Sequence, residues 1–134
     1  MQLALVFVYN ANKGTVNWLK DWVHKTVSPG TYPCRLTALT FSSLSVRPSW
    51  RSFVDSLPVA SRFLHRDELF QEYGIDTALP AVFLEQDRNL SLWISAKEIN
   101  ECSTLPELIA LVQRRLARTI DENGWDWLRM GVET

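Results

Sequence analysis

An α/β fold is predicted, and three observations predict it. Leu3-Ala4-Leu5-Val6-Phe7-Val8-Tyr9 is almost wholly apolar, as a strand buried on both faces of a central sheet is. Leu79-Pro80 leads into a second apolar run, Ala81-Val82-Phe83-Leu84, and a further strand pattern covers residues 90–95 beyond Asp87-Arg88-Asn89; two strands about a short polar loop read as a hairpin. The stripe Leu105, Leu108, Ile109, Val112 and Leu116 then repeats at helical spacing.

Between these anchors each element has its own justification. Asn10-Ala11-Asn12-Lys13-Gly14 is a turn, and Thr15 is placed to cap the helix that follows. Val16, Leu19, Val23, Thr26 and Val27 form a stripe at helical spacing along that helix, with Trp18 and Trp22 one turn apart on a neighbouring face. Ser28-Pro29-Gly30 ends it. Residues 34–41 alternate imperfectly and are predicted as a second strand, completing a βαβ unit with a right-handed crossover. Pro48 suits the first turn of a helix with Trp50, Phe53, Val54 and Leu57 on its inner side, and Pro58 stops it. Residues 59–64 form a short strand, and residues 67–73 a short helix ending at Gly74. Pro80 cannot donate to a sheet ladder and belongs at the first position of a strand or on an edge. A cis Leu79-Pro80 bond is expected, since cis X-Pro costs only about 0.5–1 kcal/mol. Ser95-Ala96-Lys97-Glu98 and Thr104-Leu105-Pro106-Glu107 are capping boxes that open two helices.

Composition narrows the function classes. The 134 residues carry 15 acidic and 14 basic side chains, a net charge of −1, so there is no basic footprint for nucleic acid. No apolar run is long enough to span a membrane. The first apolar run has no basic residue before it and reads as a strand, not a signal peptide. Two cysteines, Cys34 and Cys102, are too few for a secreted disulfide scaffold. Both are expected to be reduced, in a cytoplasmic protein. Residues 1–120 are expected to form one domain and residues 121–134 an apolar C-terminal tail.

The order strand, helix, strand, helix, then hairpin and terminal helix, with Tyr73-Gly74-Ile75 before Leu79-Pro80, resembles a thioredoxin-like fold. To fit that order, residues 47–64 are treated as an insert. Thr31-Tyr32-Pro33-Cys34 and Phe63-Leu64-His65-Arg66-Asp67-Glu68 are similar to segments of an uncharacterised bacterial family. That family carries a second cysteine three residues after the first, where this chain has Thr37. The thioredoxin resemblance implies a redox Cys-x-x-Cys at the turn after the first strand. Lys13, Gly14, Thr15 and Val16 stand there instead, so thiol–disulfide exchange from this turn is excluded.

Four groups of residues are candidate sites. A helix N-terminus with free N–H groups binds anions. Asn12, Lys13, Gly14 and Thr15, opposite Pro80, are therefore a candidate binding turn; an ordinary capped turn is the alternative. Cys34, beside Arg35 and within reach of His24, is a candidate catalytic nucleophile, or else a small core residue. His24, Cys34 and His65 supply too few metal ligands at any recognised spacing, even with Asp67 or Glu68; no metal and no cofactor is expected. Trp18, Trp22, Trp125 and Trp127 are candidate interface residues, the alternative being that the tail folds back over the Trp18 and Trp22 face. The reading is a non-redox thioredoxin-like binding or adaptor module, with a protein partner or a second copy of the chain as partner. The alternative is a single-cysteine thiol enzyme or redox sensor centred on Cys34.

Overall fold

A computed structural model describes residues 2–12, 34–42 and 45–128. The first strand, β1, is Leu3–Tyr9. It lies second in a four-stranded sheet whose other members are β4 (Ala60–His65), β5 (Ala81–Gln86) and β6 (Asn89–Ile94). The order across the sheet is β4-β1-β5-β6. β1 runs parallel to β4, with Phe7 opposite Phe63 and Tyr9 opposite His65. It runs antiparallel to β5, with Val8 opposite Ala81, and β5 is antiparallel to β6.

Successive side chains of a strand point to opposite faces, and β1 uses both. Leu5, Phe7 and Tyr9 enter the larger core, with Trp50, Ile94, Ile99, Leu108 and Val112. Val6 and Val8 enter a smaller one, with Leu64, Leu69, Leu79 and Phe83. The double burial expected for this run is found. The hairpin is found too, and its loop is the pair Asp87 and Arg88, with φ of 49° and 76°. Positive φ at both loop positions matches the right-handed twist of the flanking strands. The Leu79-Pro80 bond is cis, and Pro80 is buried just before Ala81, at the end of the sheet where β1 finishes.

Helices cover both faces. α1 (Arg35–Thr40), α2 (Pro48–Asp55), α4 (Ala96–Asn100) and α5 (Leu105–Asn123) contribute to the larger core. α3 (Arg66–Tyr73) lies over the smaller one. Both capping boxes act as caps: Ser95 Oγ accepts from the Glu98 N–H and Thr104 Oγ1 from the Glu107 N–H. α5 stops at Gly124, whose φ of +68° suits a residue without a side chain. The Tyr73 hydroxyl ties α3 to the sheet, donating to Glu85 at 2.5 Å while accepting from Arg62 at 2.5 Å.

Two expectations are corrected. Residues 34–41 were expected to be a strand; residues 35–40 form α1 instead, with Cys34 before it and Phe41 opening β2. The Ala38 N–H donates to the Cys34 carbonyl at 2.9 Å, and the Thr40 hydroxyl to the Leu36 carbonyl at 2.7 Å. Leu36, Thr37, Ala38, Leu39 and Thr40 are all buried, so the segment has no exposed face from which a period could be read. Residues 47–64 are also not an insert. They supply α2 and most of β4, and β4 is the strand that pairs parallel with β1. Between α1 and α2 lies a small hairpin, β2 (Phe41–Ser42) with β3 (Ser45–Val46).

Candidate functional site

In an open α/β sheet, ligands are bound beyond the carboxyl ends of the parallel strands. Here those ends are Tyr9 and His65, neighbours in register whose rings lie 5.6 Å apart. A cavity of about 370 Å³ opens beside them, lined by Tyr9 and Phe63 together with residues of α1, α2 and the β2–β3 hairpin. Its walls are aromatic because β1 and β4 present rings in register. Phe63 stacks on Phe7 at 5.1 Å, and Trp50 meets Phe7 edge-on at 5.5 Å. Phe41 packs against Tyr9 at 5.9 Å. Phe63 sits on an edge strand and keeps 39% of its surface exposed, so the cavity reaches solvent along an apolar wall.

The polar groups of the cavity are few. His65 Nδ1 lies 2.6 Å from Glu68 Oε1, and the same carboxylate oxygen accepts the His65 backbone N–H at 3.0 Å. This arrangement opens α3 and fixes the imidazole with Nε2 as its remaining polar atom. Burial pushes the Tyr9 phenol well above its ordinary pKa, against the lowering effect of a hydrogen bond with Thr40 and with the Cys34 thiol adding to the rise. Tyr9 is therefore a neutral hydroxyl at any physiological pH. Thr37 lines the cavity from α1, and Arg51 and Asp55 line it from α2.

Cys34 occupies the position before α1, is 1% exposed, and accepts the Asn10 N–H on Sγ at 3.3 Å. It belongs to the core beneath the cavity and not to its lining. Cys102 is also buried. Its thiol donates to the Glu98 carbonyl at 3.6 Å, and burial, with Glu107 and Glu101 nearby, pushes its pKa up. A larger, open cleft runs between α4 and α5, with Glu98, Glu101, Glu107, Arg114, Arg115 and Arg118 along it. Its charges are mixed, and Arg115 is held by Glu98 and by the Trp93 carbonyl, so it has no single chemistry to offer a ligand.

The remaining expected site residues are placed as follows. Asn12 is exposed; Lys13, Gly14, Thr15, Trp18, Trp22 and His24 lie outside the described residues. Trp125 packs on the larger core, whereas Trp127 is 51% exposed. Among the described residues no cluster of His, Cys, Asp or Glu could hold a metal ion, and no helix is long and apolar enough to cross a membrane. The sequence reading missed the cavity. Its signal is present in Phe63 and His65, two apart on one strand face, and in Arg51 and Asp55, one turn apart on a helix; only the topology joins them. No family model, no curated protein and no solved structure matches the chain.

Proposed function

We propose that this chain is a thioredoxin-like binding module that works without thiol chemistry and takes a small ligand in the cavity at the ends of β1 and β4. The observation that carries the reading is the cavity itself. It has the volume of a small-molecule site, mostly apolar walls and a few convergent polar groups, and no cysteine lines it. The parallel pair, the hairpin and the terminal helix follow one another in the order that the thioredoxin resemblance implies, which supports that fold assignment.

The single-cysteine enzyme centred on Cys34 is the second reading. A backbone N–H on Sγ, as Asn10 provides, is what a thiolate would use. Against it stands burial: a nucleophile must meet its substrate, and Cys34 is almost wholly enclosed.

The test is residue-resolved NMR of the full chain with a library of small compounds of apolar body. Binding is expected to shift the amides of Phe41, Val46, Val54, Phe63 and His65 and few others, and Val54→Arg, which fills the cavity mouth, to abolish those shifts. Shifts centred on Asn10 and Cys34 with none along α2 would transfer the reading to the thiol site.

A further inference from the structure

The rim of the cavity carries two charges that no described residue answers. Arg51 and Asp55 both line it, both are exposed, and among the described residues neither side chain takes part in an ion pair or hydrogen bond. They stand four residues apart on α2, so their Cβ atoms are about 5–6 Å apart on one helix face. A base that precedes an acid by one turn is the poorer order for an intrahelical pair, which is why the two stay separate. The His65 imidazole, which also lines the cavity, is already engaged with Glu68.

We infer that the ligand is a free α-amino acid with an aromatic or branched apolar side chain. The inference rests on the reading of the cavity as a ligand site and names what that site takes. The side chain fills the apolar pocket formed by Phe41, Phe63 and Val54. The carboxylate meets Arg51, whose planar guanidinium suits bidentate carboxylate recognition, and the ammonium meets Asp55. A ligand with either charge alone leaves the opposite rim charge unsatisfied and sets its own charge near a like one. The α-amino acid head group carries both charges on one carbon and matches two opposite charges one helical turn apart. A volume of about 370 Å³ holds such a molecule and is too small for a folded partner.

The experiment is isothermal titration of the full chain with L-phenylalanine and L-leucine. Three analogues accompany them: 3-phenylpropanoate, 2-phenylethylamine, and neutral N-acetylphenylalanine amide. Both amino acids are expected to bind, and loss of either ligand charge to weaken binding about tenfold or more, as for lost charge-assisted hydrogen bonds. Arg51→Gln is expected to bring phenylalanine down to the affinity of 2-phenylethylamine, and Asp55→Asn down to that of 3-phenylpropanoate. Both side chains are exposed, so an unchanged melting temperature checks that each variant is folded, and the ligand series on the unaltered protein is decisive without them. Equal affinity for the neutral amide and for phenylalanine overturns the amino-acid assignment while the cavity reading stands. Binding that ignores both substitutions overturns the placement of the head group. Failure of all five compounds to bind overturns the amino-acid assignment alone; the cavity reading falls only if the compound library also leaves the cavity amides unshifted.

Discussion

At the scale of single residues, the decisive contrast is between Cys34 and His65. They occupy comparable places, each just before a helix at the same end of the sheet, yet one is enclosed and the other lines the cavity. Removing a buried side-chain atom costs its transfer free energy and leaves a void. Cys34→Ala is therefore expected to lower stability by about 1 kcal/mol or more, with ligand shifts in the cavity unchanged; denaturant unfolding and the NMR titration measure the two effects. Native-state alkylation of Cys34 at neutral pH is expected to be slow, and fast modification would restore the thiol-enzyme reading. Glu98 offers a pH test. Its carboxyl is partly desolvated, which alone raises the pKa, but hydrogen bonds from Ser95 and the Arg115 guanidinium outweigh that and hold it below its ordinary value of 4.5. A depressed carboxyl pKa adds stability that is complete above the unfolded value and is lost as pH falls through the folded one. Melting curves are thus expected to show Glu98→Gln less stable than the unaltered chain at pH 7, with the gap closing below about pH 4.

At the scale of elements, some segments were legible and others were not, for physical reasons. β1, the β5–β6 hairpin and α5 announce themselves, because each is long, strongly patterned and bounded by its own punctuation. Ser95 and Thr104 cap where their spacing from Glu98 and Glu107 says they must. α1 is the opposite case. A six-residue helix buried almost all round has no polar face, and a short apolar run reads equally well as strand or helix. That one misreading moved the second parallel strand from residues 60–65 to residues 34–41 and turned the true strand into part of an insert. The cavity was illegible for a related reason. Its lining comes from β1, α1, both strands of the small hairpin, α2 and β4, and no spacing along the chain shows that Tyr9 and His65 share a register. The last element also makes a prediction. Beyond Gly124, the Trp125 N–H donates to the Ile120 carbonyl at 2.9 Å, Trp125 packs on the main core and Leu128 is buried. Burying one large side chain is worth about 1.5–3 kcal/mol, so truncation after Asn123 is expected to lower the melting temperature. Sedimentation of the truncated chain then separates two cases: unchanged mass for a segment that serves its own domain, and loss of a dimer for one that serves an interface through the exposed Trp127.

At the scale of the whole molecule, the parallel pairing of β1 with β4 governs when the proposed ligand site is complete. Antiparallel neighbours such as β5 and β6 close through a two-residue loop, but the parallel pair closes only after all the chain between Tyr9 and His65 has been brought round. Long-range contacts of this kind form late, since their loop-closure entropy is lost before they return any stabilisation. The cavity lies across that late seam. A ligand held there stabilises the finished protein by mass action, but it has nothing to grip while the chain is still assembling. Its effect should fall on the rate at which the protein comes apart and leave the rate at which it folds untouched, so that the ligand acts as a lock on a completed structure and never as a template for making one.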